Sequence, residues 1–231
     1  MIIKYKNLVI VGTSHIAKES ITEVEQSIEK EKPIFVALEL DNNRYNSLIS
    51  GEQRDVSYKY IKEIGFGGYL LLKIGHYIET KLGLSIGSTL GGEMIKAADT
   101  ASKYNCKIVL IDQEIKKTLK NFSENFNWKE KLKIILDIMT GLIKKEKIKI
   151  DLKRVPDKDI IILILDKLKK RYPGIYKSLV QDRNIYMAKR LSRLMELGNI
   201  VAVIGAGHVE GIIEEIKRIE NNKNKIDRIG I

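Results

Sequence analysis

LVIVGTSH at residues 8–15 and VAVIGAGH at residues 201–208 share one pattern, an apolar run that ends in Gly-x-x-His. Each run is short and continuously apolar, as expected of a strand buried on both faces of a parallel sheet. A glycine lets the chain turn out of the strand, and the histidine is displayed just past the strand's C-terminal end. Working outward, IFVALEL at 34–40 and KIVLID at 107–112 repeat the apolar run. Four buried strands are therefore expected, within 7–12, 34–40, 107–112 and 199–205. Helical spacing fills the intervals. Ile21, Val24 and Ile28 mark a helix from Ser20 to Glu31, residues 41–63 and 93–104 read as two more, and Pro173 opens a long one through Leu197. Residues 209–220 form a closing helix, and KIDRIGI at 225–231 is expected to add a last strand. Strands alternating with helices give an α/β fold, with a central mixed or mostly parallel sheet flanked by helices.

At 231 residues the chain is long enough for a single domain with a sizeable core, and 44% hydrophobic with 31% charged residues is ordinary for a globular protein. Two regions stand apart within that domain, which spans 1–231. Residues 65–92 hold eight of the seventeen glycines around YLLLKIGHYIETKL and read as a glycine-rich flap. Residues of about 114–170 read as a basic helical insertion, with 17 Lys/Arg against 8 Asp/Glu between Lys116 and Arg171 in a chain of net charge +11. That excess suits an anionic membrane surface or another acidic partner, while a solvated helical face is the plainer reading. No zinc-finger spacing or aromatic RNA-binding motif accompanies it, so specific nucleic-acid binding is not expected. Flap and insertion together would suit a homodimer interface. Cys106 is the only cysteine, which excludes an intramolecular disulfide and reads as a buried structural thiol. No apolar run approaches the ~20 residues of a membrane span, and the N-terminus lacks a signal-like core, so the expected location is the cytoplasm. Membrane association is expected if the full-length protein carries a C-terminal membrane segment.

The chain has three histidines, and two of them, His15 and His208, occupy equivalent strand-end positions. One such histidine is ordinarily structural; two in matched settings point to a metal or catalytic pair. Neutral imidazole is the commonest protein metal ligand, and two of them with a carboxylate can hold a divalent ion. Glu39 and Asp112 also close apolar strands, where a carboxylate is costly unless it meets a metal, an arginine or a helix N-terminus. Arg44 lies a turn of helix beyond Glu39. Glu93, after Gly91 and Gly92, suits either a site or the start of a helix, where negative charge is favoured. His76 lacks the strand context and reads as a surface residue; Asp182-Arg183 alone would read as a surface pair. GAGHVEG at 205–211 echoes a dinucleotide-binding loop, but its spacing is G-x-G-x-x-x-G and too little chain follows for the usual βαβ unit.

Taken in order, GTSHIAKES, VALELDNNR, GGEMIKAAD, KIVLID, DRNIYMAKRL and VAVIGAGHVEGI resemble the TraB/PrgY (pheromone shutdown) family. That family is similar to the Tiki metalloproteases and, more distantly, to the ChaN and erythromycin-esterase-like proteins. The resemblance implies an erythromycin-esterase/ChaN-like fold and a Tiki-like metal-dependent hydrolase acting on a peptide or small-molecule substrate. It implies a divalent metal (Mn, Co or Zn) at His15, His208 and Glu39, catalytic roles for Glu93, Arg44 and Arg183, and substrate contacts at Asp112, Gly12, Gly205 and Gly207. One departure stands out: relatives often read Ile-Asp-Arg where this chain has Ile111-Asp112-Gln113, which puts a substrate-binding arginine in doubt. A non-catalytic protein that sequesters a peptide or small ligand, docked on a membrane or partner, is the alternative.

Overall fold

A computed structural model describes residues 1–13, 18–50, 62, 64, 65, 68, 69, 91–141 and 158–229. Its centre is a five-stranded sheet of β1 (Ile2–Tyr5), β2 (Leu8–Thr13), β3 (Phe35–Leu38), β4 (Lys107–Leu110) and β5 (Ile200–Gly205). The spatial order is β1-β2-β5-β3-β4. β1 pairs antiparallel with β2, and the other neighbours are parallel. The four apolar runs supply the four parallel strands, so the α/β class with a mixed sheet holds.

Period-two alternation divides the core. Leu8, Ile10, Phe35, Ala37, Ile200, Ala202 and Ile204 face one side; Val9, Val11, Val36, Leu38, Val201 and Val203 face the other. On the second side lie α1 (Lys18–Glu31) and α3 (Gly92–Lys103), which bring Val24, Ile28, Met94, Ala97 and Ala101 against the sheet. On the first lie α8 (Asp182–Met195) and α9 (Val209–Ile229), through Met187, Ala188, Leu191, Ile212 and Ile216. Both faces are therefore covered, which is why the strands read as unbroken apolar runs.

The remaining helices are α2 (Asn42–Ser50), α4 (Ile115–Asn125), α5 (Trp128–Gly141), α6 (Lys158–Arg171) and the short α7 (Pro173–Tyr176). A π-helical turn, Lys177–Gln181, joins α7 to α8 without a break. The described part of residues 114–170 is mostly helical. Most of the 65–92 flap, with His76 in it, lies outside the described residues. No helix among those described is long and apolar enough to cross a membrane.

Three expectations change. The first is β1: IIKY is a half-exposed edge strand, and so short an edge gives no apolar run to detect. The second is the final strand at 225–231, because α9 continues to Ile229. Between Gly211 and Gly230 there is neither glycine nor proline, so nothing in the chain stops the helix. The third is the expected buried thiol. Cys106 is half-buried, and burial still raises its thiol above the ordinary value, which disfavours a reactive thiolate.

Leu191 sits fully buried where α8 meets the sheet and α9. Leu191→Ala is expected to cost about 2–5 kcal/mol of unfolding free energy, read from the midpoint of urea denaturation at unchanged slope.

Candidate functional site

The C-terminal ends of β3, β4 and β5 lie side by side, the edge at which open α/β sheets bind ligands. Glu39 follows β3, Asp112 comes two residues after β4, and His208 stands three residues past β5 as the residue before α9. Arg44 comes from the first turn of α2. That helix starts where it does because Asp41 caps it, its Oδ1 accepting from the backbone N–H groups of Asn43 (2.9 Å) and Arg44 (3.0 Å). Arg183 and Asn184 come from the first turn of α8, directly after the π-helical turn.

Arg183 is the hub. Its Nε donates to Asp112 Oδ1 at 3.1 Å and its Nη2 to Asp112 Oδ2 at 2.8 Å, a bidentate pair. Nη2 also meets Glu39 Oε1, and Nη1 lies 2.9 Å from His208 Nε2. Arg44 Nη1 adds a second cation on Asp112 Oδ2 at 3.1 Å. Glu39 Oε2 accepts from the Gly205 backbone N–H at 2.6 Å. Glu39, Asp112 and His208 are all buried. Burial opposes the charge of Arg183, but the attraction and hydrogen bonds of Glu39 and Asp112 outweigh it and hold the guanidinium protonated above the ordinary arginine range.

His208 is gripped at both ring nitrogens by adjacent residues. Asn184 Oδ1 lies 2.6 Å from Nδ1, so Nδ1 carries the proton and donates it. Nε2 is then the lone-pair nitrogen, accepting from Arg183. Protonating Nε2 would set two N–H donors against each other, so these two contacts favour the neutral imidazole. Glu39 Oε1 stands 3.5 Å from Nε2.

Of the expected site residues, Glu39, Arg44, Asp112, Arg183 and His208 come together; His15 lies outside the described residues. Glu93 is buried in the first turn of α3. Arg183, which in isolation read as a surface pair with Asp182, instead turns inward while Asp182 takes Lys177 at 3.3 Å. Gln113 spends its amide on Thr118 Oγ1 at 2.8 Å, inside the start of α4. Arg44 and Arg183 thus supply the positive charge beside Asp112 that a neighbouring arginine would otherwise bring.

The glycines have a different reason from the one expected. Neither Gly12 nor Gly205 adopts positive φ. Gly12 needs close approach: a Cβ there would come within 2.9 Å of the Met1 side chain and 3.1 Å of Val209. Gly205 offers its N–H to Glu39, and a Cβ at Gly207 would meet nothing within 4 Å. The two motifs are also one residue out of step in the sheet, with Gly12 opposite Ile204 and Thr13 opposite Gly205. A one-residue offset sends Gly12 and Gly205 to opposite faces, so the motif pair is not a structural mirror.

Sequence reading missed Asn184, Asp41 and Gly211. Asp41 carried a usable signal, an aspartate directly before a helix. Asn184 stood beside Arg183 in the DRN block with no spacing rule to single it out. Gly211 faces Asn184 across the contact of α9 with α8, where any Cβ would collide with the amide.

With this geometry in view, comparison with known proteins gives a consistent result. The profile of the TraB/PrgY/gumN family matches residues 3–228. The chain belongs to the TraB/PrgY/gumN family. An uncharacterized protein of Methanocaldococcus jannaschii is 39% identical over 227 residues, covering 96% of this chain and 56% of that protein. TraB domain-containing proteins of Mus musculus and Homo sapiens are 27% and 26% identical, each over 88% of this chain and 61% of its own length. The chain thus spans less than two thirds of the length of these relatives.

Arg183→Ala would leave two buried carboxylates without their shared cation. It is expected to cost about 3–5 kcal/mol of stability, measured by urea denaturation, with Arg183→Lys recovering only part because an ammonium cannot form the bidentate pair. Gly211→Ala tests the same support from the far side. It is expected to displace the Asn184 amide and weaken its bond to the His208 ring, seen as a change in the ring's nitrogen NMR shifts.

Proposed function

We propose that this TraB-family chain is a metal-dependent hydrolase of peptide bonds, its water activated beside Glu39 and His208. The observation that carries the reading is the pair Glu39 Oε1 and His208 Nε2, 3.5 Å apart with the ring proton held on Nδ1 by Asn184. Two ligands of one tetrahedral ion with bonds of about 2.0–2.1 Å stand about 3.4 Å apart, so the donors present suit a divalent ion. The amide behind Nδ1 is the outer support that orients a metal-binding imidazole. These two donors do not complete a site alone, since no cluster of three His, Cys, Asp or Glu side chains able to hold a metal occurs among the described residues. His15 is the third ligand of the proposal.

When bound, such an ion lowers the pKa of its water and polarises the scissile carbonyl. The chain's own residues do the rest. Asp112 anchors Arg183 and Arg44, and in the proposed reaction these two guanidinium groups stabilise the negative charge that develops on the substrate oxygen. Glu93 is the proposed general base, receiving the water's proton. Gly207, where a Cβ would meet nothing within 4 Å, leaves the turn after β5 open to a peptide backbone. Arg183 now engages both donor atoms, so an ion would take its place on Glu39 and His208 while Asp112 keeps the guanidinium nearby.

One feature favours a second reading. Arg183 holds Glu39, Asp112 and His208 in one hydrogen-bonded network, an arrangement that also suits a protein that binds a peptide or small ligand and does not cleave it. Calorimetric titration with Mn, Co and Zn, combined with a peptide-library cleavage screen, separates the two. The hydrolase reading expects binding and cleavage in the wild type, and loss of both in His208→Ala and Glu39→Gln. It also expects metal affinity about 10–100-fold weaker in Asn184→Ala. Peptide binding without metal uptake or cleavage would leave only the second reading.

A further inference from the structure

The helix α5 carries an exposed apolar stripe. Trp128, Leu132 and Leu136 recur every four residues, which puts them on one face, and they are 68%, 48% and 50% exposed. The opposite face holds the helix to the protein. There Glu130 is buried and accepts from the Gly174 backbone N–H at 2.7 Å, and Asp137 pairs with Arg171 and Tyr172. At 100° per residue, Lys131 falls on one flank of the stripe and Lys129 and Lys133 on the other. None of the three lysines has a salt bridge among the described residues, although Lys131 lies over the Phe126 ring at 5.7 Å and the charge of Lys133 acts on Asp137.

A tryptophan and two leucines bordered by lysines, in a chain of net charge +11, fit an anionic lipid surface. The apolar residues are too few to span a bilayer but enough to enter the headgroup boundary, where tryptophan is favoured. The lysine borders would meet anionic headgroups, and an acidic protein partner would leave the exposed Trp128 and leucines less well matched than a bilayer interface does. We propose that α5 is an interfacial helix that docks this protein on anionic membranes through Trp128, Leu132 and Leu136, with Lys129, Lys131 and Lys133 at the headgroups. The proposal is independent of the hydrolase reading, because none of these residues belongs to the Arg183 site.

Trp128 is the only tryptophan, so its fluorescence reports the stripe directly. The full chain is mixed with vesicles of phosphatidylcholine alone, or with about one third phosphatidylserine, at low and high salt. The expected result is a blue shift and protection from aqueous quencher with the anionic vesicles only, weakened at high salt. Leu132→Ser/Leu136→Ser and Lys129→Gln/Lys131→Gln/Lys133→Gln should each weaken sedimentation with those vesicles by roughly tenfold or more. His208→Ala should bind as the wild type does. These side chains lie at the surface, so unchanged circular dichroism confirms that the variants fold. Absence of a shift with anionic vesicles, or equal binding by the leucine variant, would overturn the proposal. So would a blue shift that depends on protein concentration without vesicles, since the stripe would then cover a second copy.

Discussion

A largely buried guanidinium shared between two buried carboxylates organises the end of this sheet. Glu39 and Asp112 close neighbouring parallel strands, where water is excluded and a bare carboxylate would be costly. Arg183 offsets that cost for both, and it can do so because the π-helical turn delivers it from above the sheet at the start of α8. The same residue touches His208 Nε2, while its neighbour Asn184 holds Nδ1. One turn of helix therefore fixes the charge balance, the strand ends and the tautomer of the imidazole together. Since a domain's whole stability is about 5–15 kcal/mol, a buried ionic centre of this kind has to be complete to be tolerated.

Completeness also bears on chemistry. Three strands, α2, α8 and the start of α9 each contribute one or two groups, so the site is only as well placed as the sheet that aligns them. The residues that do the aligning are small or polar: Gly205 through its N–H, Asp41 through its cap on α2, and Gly211 through the space it leaves for Asn184. The cation in the site is a side chain that engages the very atoms suited to a divalent ion. Arg183 is thus the structural partner of Glu39, and on the proposed reading it would compete with the ion for Glu39 and His208.

The strands were legible in the sequence because burial on both faces leaves long apolar runs. Leu8–Val11 and Val201–Ile204 show this directly. Where the physics is cooperative rather than periodic, the sequence was less open. IIKY forms a strand only because β2 pairs with it, and α9 outruns its apolar pattern because nothing breaks it. Strand-end placement alone made Glu39, Asp112 and His208 visible as site residues. Arg183 was found through family resemblance, since its own neighbourhood reads as a surface helix. Asn184 escaped because a single amide on a helix has no spacing to betray it. The matched Gly-x-x-His motifs follow adjacent parallel strands, yet their one-residue offset means that equivalence in sequence did not carry over to equivalence in space.

The protonation of the His208 ring tests the account most directly, and with three histidines in the chain its signals are assigned by comparison with His208→Ala. Nitrogen-15 NMR is predicted to show a neutral ring with the proton on Nδ1, and the Nε2 resonance to move when zinc is added. A ring protonated on Nε2, or charged on both nitrogens at neutral pH, would contradict the arrangement of Arg183 and Asn184 on which the site is built.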